Sequence, residues 1–139
     1  MIAMRVMVMS VALLAAVSGC AVIEALDTRA PAWWQLAPHQ SLDPDSTSVT
    51  VLVSRIGCND GITGTVNPPD VSVSDSEIVI SMTVSPGEPS SATCPGNDQV
   101  AFEIELPEPL GDRRLVDGAC ENSDARRTIW CETDIRYAP

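Results

Sequence analysis

The chain has 139 residues, of which 8 are Lys or Arg and 19 are Asp or Glu, so its net charge is −11 and its pI lies near 4.2. That length allows one domain at most, and so acidic a balance argues against nucleic-acid binding, which needs cationic side chains to neutralise phosphates. The single histidine, His39, removes most metal and triad chemistry that depends on imidazole.

Residues 1–19, MIAMRVMVMSVALLAAVSG, carry one positive charge at Arg5, then an apolar run broken only by Ser10, then small residues. About a dozen apolar residues span less than roughly 20 Å as a helix, short of a hydrocarbon core of roughly 30 Å, so the stretch reads as an export signal and not as a permanent span. The next four residues, Val17-Ser18-Gly19-Cys20, resemble the bacterial lipobox, whose cysteine is acylated on sulfur and becomes the new N-terminus. Five cysteines, Cys20, Cys58, Cys94, Cys120 and Cys131, would strand one thiol in an oxidising compartment; giving Cys20 to lipid leaves four. Acyl chains contribute about 0.8 kcal/mol per buried methylene, so a diacylglyceryl group holds a domain durably at a membrane.

Removal of residues 1–19 leaves 120 residues with seven cations and nineteen acids, a charge of −12. Residues 20–48 contain Pro31, Pro38, Pro44 and the run Asp43-Pro44-Asp45, with no sustained period of two, and are expected to form a flexible tether. Such a tether reaches roughly 25–30 Å. Trp33 and Trp34 within it have two expected placements, the membrane interface or the surface of the folded domain, with the domain preferred.

From residue 49 onward the period is two. Val49, Val51 and Val53 alternate with Thr50 and Leu52; Ile78, Ile80, Met82 and Val84 alternate with Val79, Ser81 and Thr83; Val100, Phe102, Ile104 and Leu106 alternate with Ala101, Glu103 and Glu105. The alternation also predicts a strand over 127–137 and shorter ones at 63–66, 71–73 and 114–116. Turn signals separate them at Asn59-Asp60-Gly61, 67–70, Pro86-Gly87, 95–98, 107–111 and Asp117-Gly118. Short strands at this spacing, with no helical period between them, predict an all-β domain over 49–139: a small antiparallel β-sandwich, immunoglobulin-like in general shape.

A core of this size with few aromatics benefits from cross-links. Four exported cysteines allow three connectivities of two disulfides. Cys120 and Cys131 flank ten mostly polar residues, and a bridge between them contributes about 3 kcal/mol on the chain-entropy model. Cys58 then pairs with Cys94, for about 4 kcal/mol.

The segments LVSRIGCNDG (52–61), ISMTVSPG (80–87), CPGNDQ (94–99) and LPEPLGDRRLVDGAC (106–120) together resemble a group of actinobacterial exported proteins and lipoproteins that has no established activity. The similarity covers about residues 49–131. It implies a small extracytoplasmic β domain with the same two pairings, and it transfers no catalytic residue.

Candidate chemistry is sparse. His39 sits between Pro38 and Gln40 in the expected tether, with no second histidine in the domain. Glu103 and Glu105 are expected to face water and protect a sheet edge. Asp43, Asp45, Asn59, Asp60, Asn97 and Asp98 lack the regular ligand spacing of a calcium loop and read as turn formers. Arg113-Arg114 and Arg126-Arg127 are interleaved with Asp112, Asp117, Glu121 and Asp124, and local ion pairs are expected there. The expectation is therefore a lipoprotein anchored through Cys20 on the outer side of the cell membrane, with no cofactor, no metal and no catalytic residue. Its domain would bind an envelope protein or glycan. A small-molecule or cation carrier is the alternative, and an envelope enzyme of unfamiliar type the next.

Overall fold

The alternating β-branched residues of 49–53 and 78–84 put one row of side chains on each face of an extended chain, and the apolar rows find each other. A computed structural model describes residues 28–87, 93–121 and 124–139. The signal, the lipobox and Cys20 lie outside the described residues.

Seven strands form among them: β1 (Ala30–Leu36), β2 (Ser48–Arg55), β3 (Asp70–Val73), β4 (Glu77–Val84), β5 (Val100–Glu105), β6 (Arg114–Asp117) and β7 (Ile135–Tyr137). Three single-turn 3-10 helices, Gly118–Glu121, Ala125–Arg127 and Ile129–Cys131, join β6 to β7. The sheet order is β5-β2-β1-β4-β6-β7, with β3 also paired to β4. The domain is all-β and rich in antiparallel pairs, as the alternation predicts.

One pair departs from the antiparallel expectation: β4 and β6 run parallel, Glu77 opposite Arg114 and Ile80 opposite Asp117. The chain leaves β4 at one end of the sheet, returns down β5 on the far side and so starts β6 at the end where β4 began. β6 packs closely against β4 where it ends. A Cβ on Gly118 would lie 2.0 Å from Ser81 Oγ and 3.1 Å from Val79 Cγ1, so only glycine fits there.

The expected tether over 20–48 is corrected by β1. Ala32 to Leu36 pair with Arg55 to Val51 of β2, and Ala30 to Ala32 pair with Val84 to Met82 of β4. The strand therefore lies inside the sheet. Trp33 and Trp34 both dock on the domain. Trp34 is fully buried in the main core with Val49, Val51, Val53, Ile78, Ile80, Met82 and Ile104, while Trp33 is buried on the opposite side of the strand, against Trp130.

β1 leaves β4 after Ala32, and β6 takes over that stretch of β4. At the switch, Asp117 stands in for a strand partner. Its Oδ2 accepts the Trp34 backbone N–H at 3.1 Å, and its Oδ1 accepts Ala119 N–H at 3.0 Å. The Trp34 indole N–H donates to the Ile80 carbonyl at 2.9 Å. Arg136, from β7, donates from Nη2 to Asp117 Oδ2 at 2.8 Å, which makes a buried ion pair.

Burial pushes the Asp117 carboxyl above its ordinary range, against the opposing pull of Arg136 and the two backbone donors. The folded protein thus holds this proton to higher pH than the unfolded chain does. Stability from protonated Asp117 is fully present below about pH 4 and is lost as pH rises through the folded-state value. Melting curves taken upward from about pH 4 should therefore fall with rising pH more steeply in the wild type than in Asp117→Asn; parallel profiles would remove Asp117 as the source.

Two further expectations need correction. The strand predicted over 127–137 is two 3-10 turns followed by the short β7, because the Cys120–Cys131 bridge closes a loop too tight for an extended chain. Residues 63–66 contribute only a bridge between Val66 and Val84. Thr63 is instead buried, its N–H and hydroxyl both bonded to Asp98.

Candidate functional site

β2 stops at Arg55, and Gly57, at φ +102°, turns the chain into the loop that carries Cys58. Cys58 is bridged to Cys94, and Cys120 to Cys131, the two pairings expected from the loops. The first bridge brings 57–65 against 93–99. Asn97 Nδ2 donates to the carbonyls of Arg55 and Gly57 at 3.1 and 2.6 Å, and Ser54 Oγ donates to the Asn97 carbonyl at 3.3 Å.

The second bridge fixes Trp130. Its carbonyl accepts Arg136 Nη2 at 2.8 Å, and its indole stacks on Trp33 with ring centroids 4.1 Å apart and planes within 6°. Between the stacked pair and the Cys58–Cys94 bridge lies an open cleft of about 450 Å³, lined also by Ser54 to Gly57, Asn97, Gln99 and Thr128. That volume is within the range of small-ligand sites.

Arg55 is the one charged side chain of the lining, and it is buried. Its Nε donates to the Thr63 carbonyl at 3.2 Å and its Nη2 to the Ser85 carbonyl. Burial holds its guanidinium below the ordinary arginine value. No carboxylate pairs with it among the described residues. The lining holds no carboxylate and no imidazole, so it lacks an acid–base pair within reach of a bound molecule. What it offers is apolar surface, an indole and several amide and hydroxyl groups.

No family model, curated protein or solved structure matches the chain.

The residues singled out in the sequence fall elsewhere. His39 is exposed at the turn between β1 and β2, with φ +67°. Asp43 forms a turn with Ser46, its Oδ1 accepting Asp45 N–H at 3.0 Å. Asp60 accepts Thr93 N–H and Oγ1–H, at 2.6 and 2.8 Å, which lowers its carboxyl below the ordinary range. Glu103 and Glu105 are exposed on β5, at the end of the sheet order. Among the described residues no group of three His, Cys, Asp or Glu could hold a metal ion, and no helix is long and apolar enough to cross a membrane.

Of the arginine pairs, Arg113 and Arg114 form ion pairs, with acids other than the interleaved ones. Arg113 meets Glu108, and Arg114 meets Glu77 across the β4–β6 pair at 2.9 Å. Asp117 belongs to Arg136, and Arg126 donates to the carbonyls of Cys120 and Glu121. Trp33, Arg55 and Asn97 were not legible as site residues. The signal that could have found them was the Cys58–Cys94 bridge, which forces Gly57 and Asn97 together, with Trp130 one residue from Cys131.

Proposed function

We propose that the chain is an extracytoplasmic lipoprotein, anchored through Cys20, whose domain works by binding, with the Trp33–Trp130 cleft as its site. The observation that carries the binding reading is the cleft itself: a stapled, largely apolar hollow with an exposed indole and no proton-transfer pair. The export signal and lipobox carry the compartment, and the likeness to actinobacterial exported proteins and lipoproteins agrees with it. The strand groups β5-β2-β1 and β3-β4-β6-β7 would form the two layers of a β-sandwich, immunoglobulin-like in general shape, with β1 crossing between them.

The ligand class that suits the cleft is an uncharged or amphipathic envelope molecule, such as a neutral glycan with a face that packs on Trp130. Thermal melts of the lipidated protein against a panel of envelope glycan fragments test this. A ligand at about a hundred times its Kd adds about 2.7 kcal/mol, a rise of roughly 10 °C or more for a domain of this size. Trp130→Ala should abolish the rise and, by uncovering Trp33, also lower the unliganded melt, so the rise is read against each protein's own unliganded melt; a rise that survives the substitution places binding outside the cleft.

A further inference from the structure

We infer that the end of the sheet carrying the cleft lies against the phospholipid surface, with Ile62, Ile129 and Trp130 as the contact. The inference rests on the Cys20 anchor proposed above. In the register of the strands, Ala30 of β1, Arg55 of β2, Val84 of β4 and Val100 of β5 all mark one end of the molecule. The chain arrives from Cys20 at this end. Ten residue steps separate Cys20 from Ala30, a reach of at most about 35 Å. The domain is therefore held within its own diameter of the bilayer, by the end that bears the cleft.

Three of the four exposed large apolar side chains among the described residues, Ile62, Ile129 and Trp130, collect at the same end; the fourth, Ile135, is on β7 opposite Val116. Ile62 is 57% exposed in the loop that follows Cys58, and Ile129 and Trp130 are 69% and 43% exposed on the stapled turn beyond Cys120. Both ends are acidic, and they differ in their arginines. At the opposite end the turns and strand starts carry Asp43, Asp45, Asp75, Glu77, Glu108 and Asp112 against Arg113 and Arg114 alone. At the cleft end Arg29, Arg55, Arg126 and Arg127 stand against Asp60, Asp98, Glu121, Asp124, Glu132 and Asp134. Of these acids, Asp60 and Asp98 are bonded to Thr93 and Thr63. The cleft end, with four arginines against six acids, is thus less acidic than the opposite end, with two against six, and is the less repelled of the two by phosphate headgroups. An indole and two isoleucines are suited to the interfacial zone.

The test uses the purified lipidated protein reconstituted into vesicles of phosphatidylethanolamine and phosphatidylglycerol in equal parts, with bromine placed at defined acyl positions. Trp33 and Trp34 are buried, so contact quenching reports Trp130. The expected result is quenching by shallow bromines, lost in Trp130→Phe and in Ile62→Asp/Ile129→Asp, with every variant still sedimenting with the vesicles. Both isoleucines are exposed, so the double variant folds. Protein that sediments with vesicles but is unquenched by bromine at any depth overturns the orientation and leaves the anchor standing. Wild type that stays in the supernatant as Cys20→Ala does overturns the anchor, and the orientation with it.

Discussion

Trp34→Ala should cost the domain about 3–5 kcal/mol, a large share of the roughly 5–15 kcal/mol that a domain of this kind possesses. The indole is fully buried just past the point where β1 leaves β4, in contact with the main core. Truncation removes its apolar area, leaves a cavity and orphans the Ile80 carbonyl that now accepts the indole N–H at 2.9 Å. Urea unfolding followed by far-UV circular dichroism reads the loss directly, with the disulfides intact in both proteins. Trp34→Phe keeps most of the volume and forfeits the hydrogen bond, so its cost should be about 1–3 kcal/mol. An alanine variant as stable as wild type would show that β1 is peripheral, contrary to its register with β2 and β4.

Asp117→Ala should cost about 3–5 kcal/mol at neutral pH, the usual result of removing one partner of a buried ion pair. Trp34 N–H and Ala119 N–H lose their acceptor, and Arg136 Nη2 loses its carboxylate and keeps only neutral partners such as the Trp130 carbonyl. Arg136 is already strained for partners, since its Nε is buried with no hydrogen bond. Replacing both members, as in Asp117→Leu/Arg136→Met, should recover part of the loss, because the uncompensated cation is gone while Trp34 N–H and Ala119 N–H still lack an acceptor. A double-mutant cycle in urea gives the coupling; additive single effects would mean that the two side chains do not act as a pair.

The sequence made three strands plain because their surroundings are simple. In β2, β4 and β5 one face meets the core and the other does not, so Val49-Val51-Val53, the Ile78–Val84 row and Ile104 against Glu103 and Glu105 print the burial pattern as alternation. β1 has no such print. Its adjacent tryptophans are buried on opposite sides, Pro31 removes a backbone donor, and three prolines in the neighbourhood imitate a linker. The segment 127–137 misled in the other direction, because Ile129, Cys131 and Ile135 alternate on paper while the Cys120–Cys131 bridge bends the chain. The cleft was hidden for a different reason. It is assembled from a strand end, two disulfide loops and a 3-10 turn, and no local pattern links Ser54, Asn97 and Trp130. The cysteine arithmetic came closest, since the pairing it favoured is what draws those loops together.

The place of β1 sets how the molecule bears a load. A pull on the N-terminus enters at Ala30 and runs along the strand, parallel to the ladders with β2 and β4, so those hydrogen bonds are stretched together in shear and cannot open one after another. A load entering there is thus taken by a strand paired on both sides, and pulling that strand free also draws Trp34 out of the core.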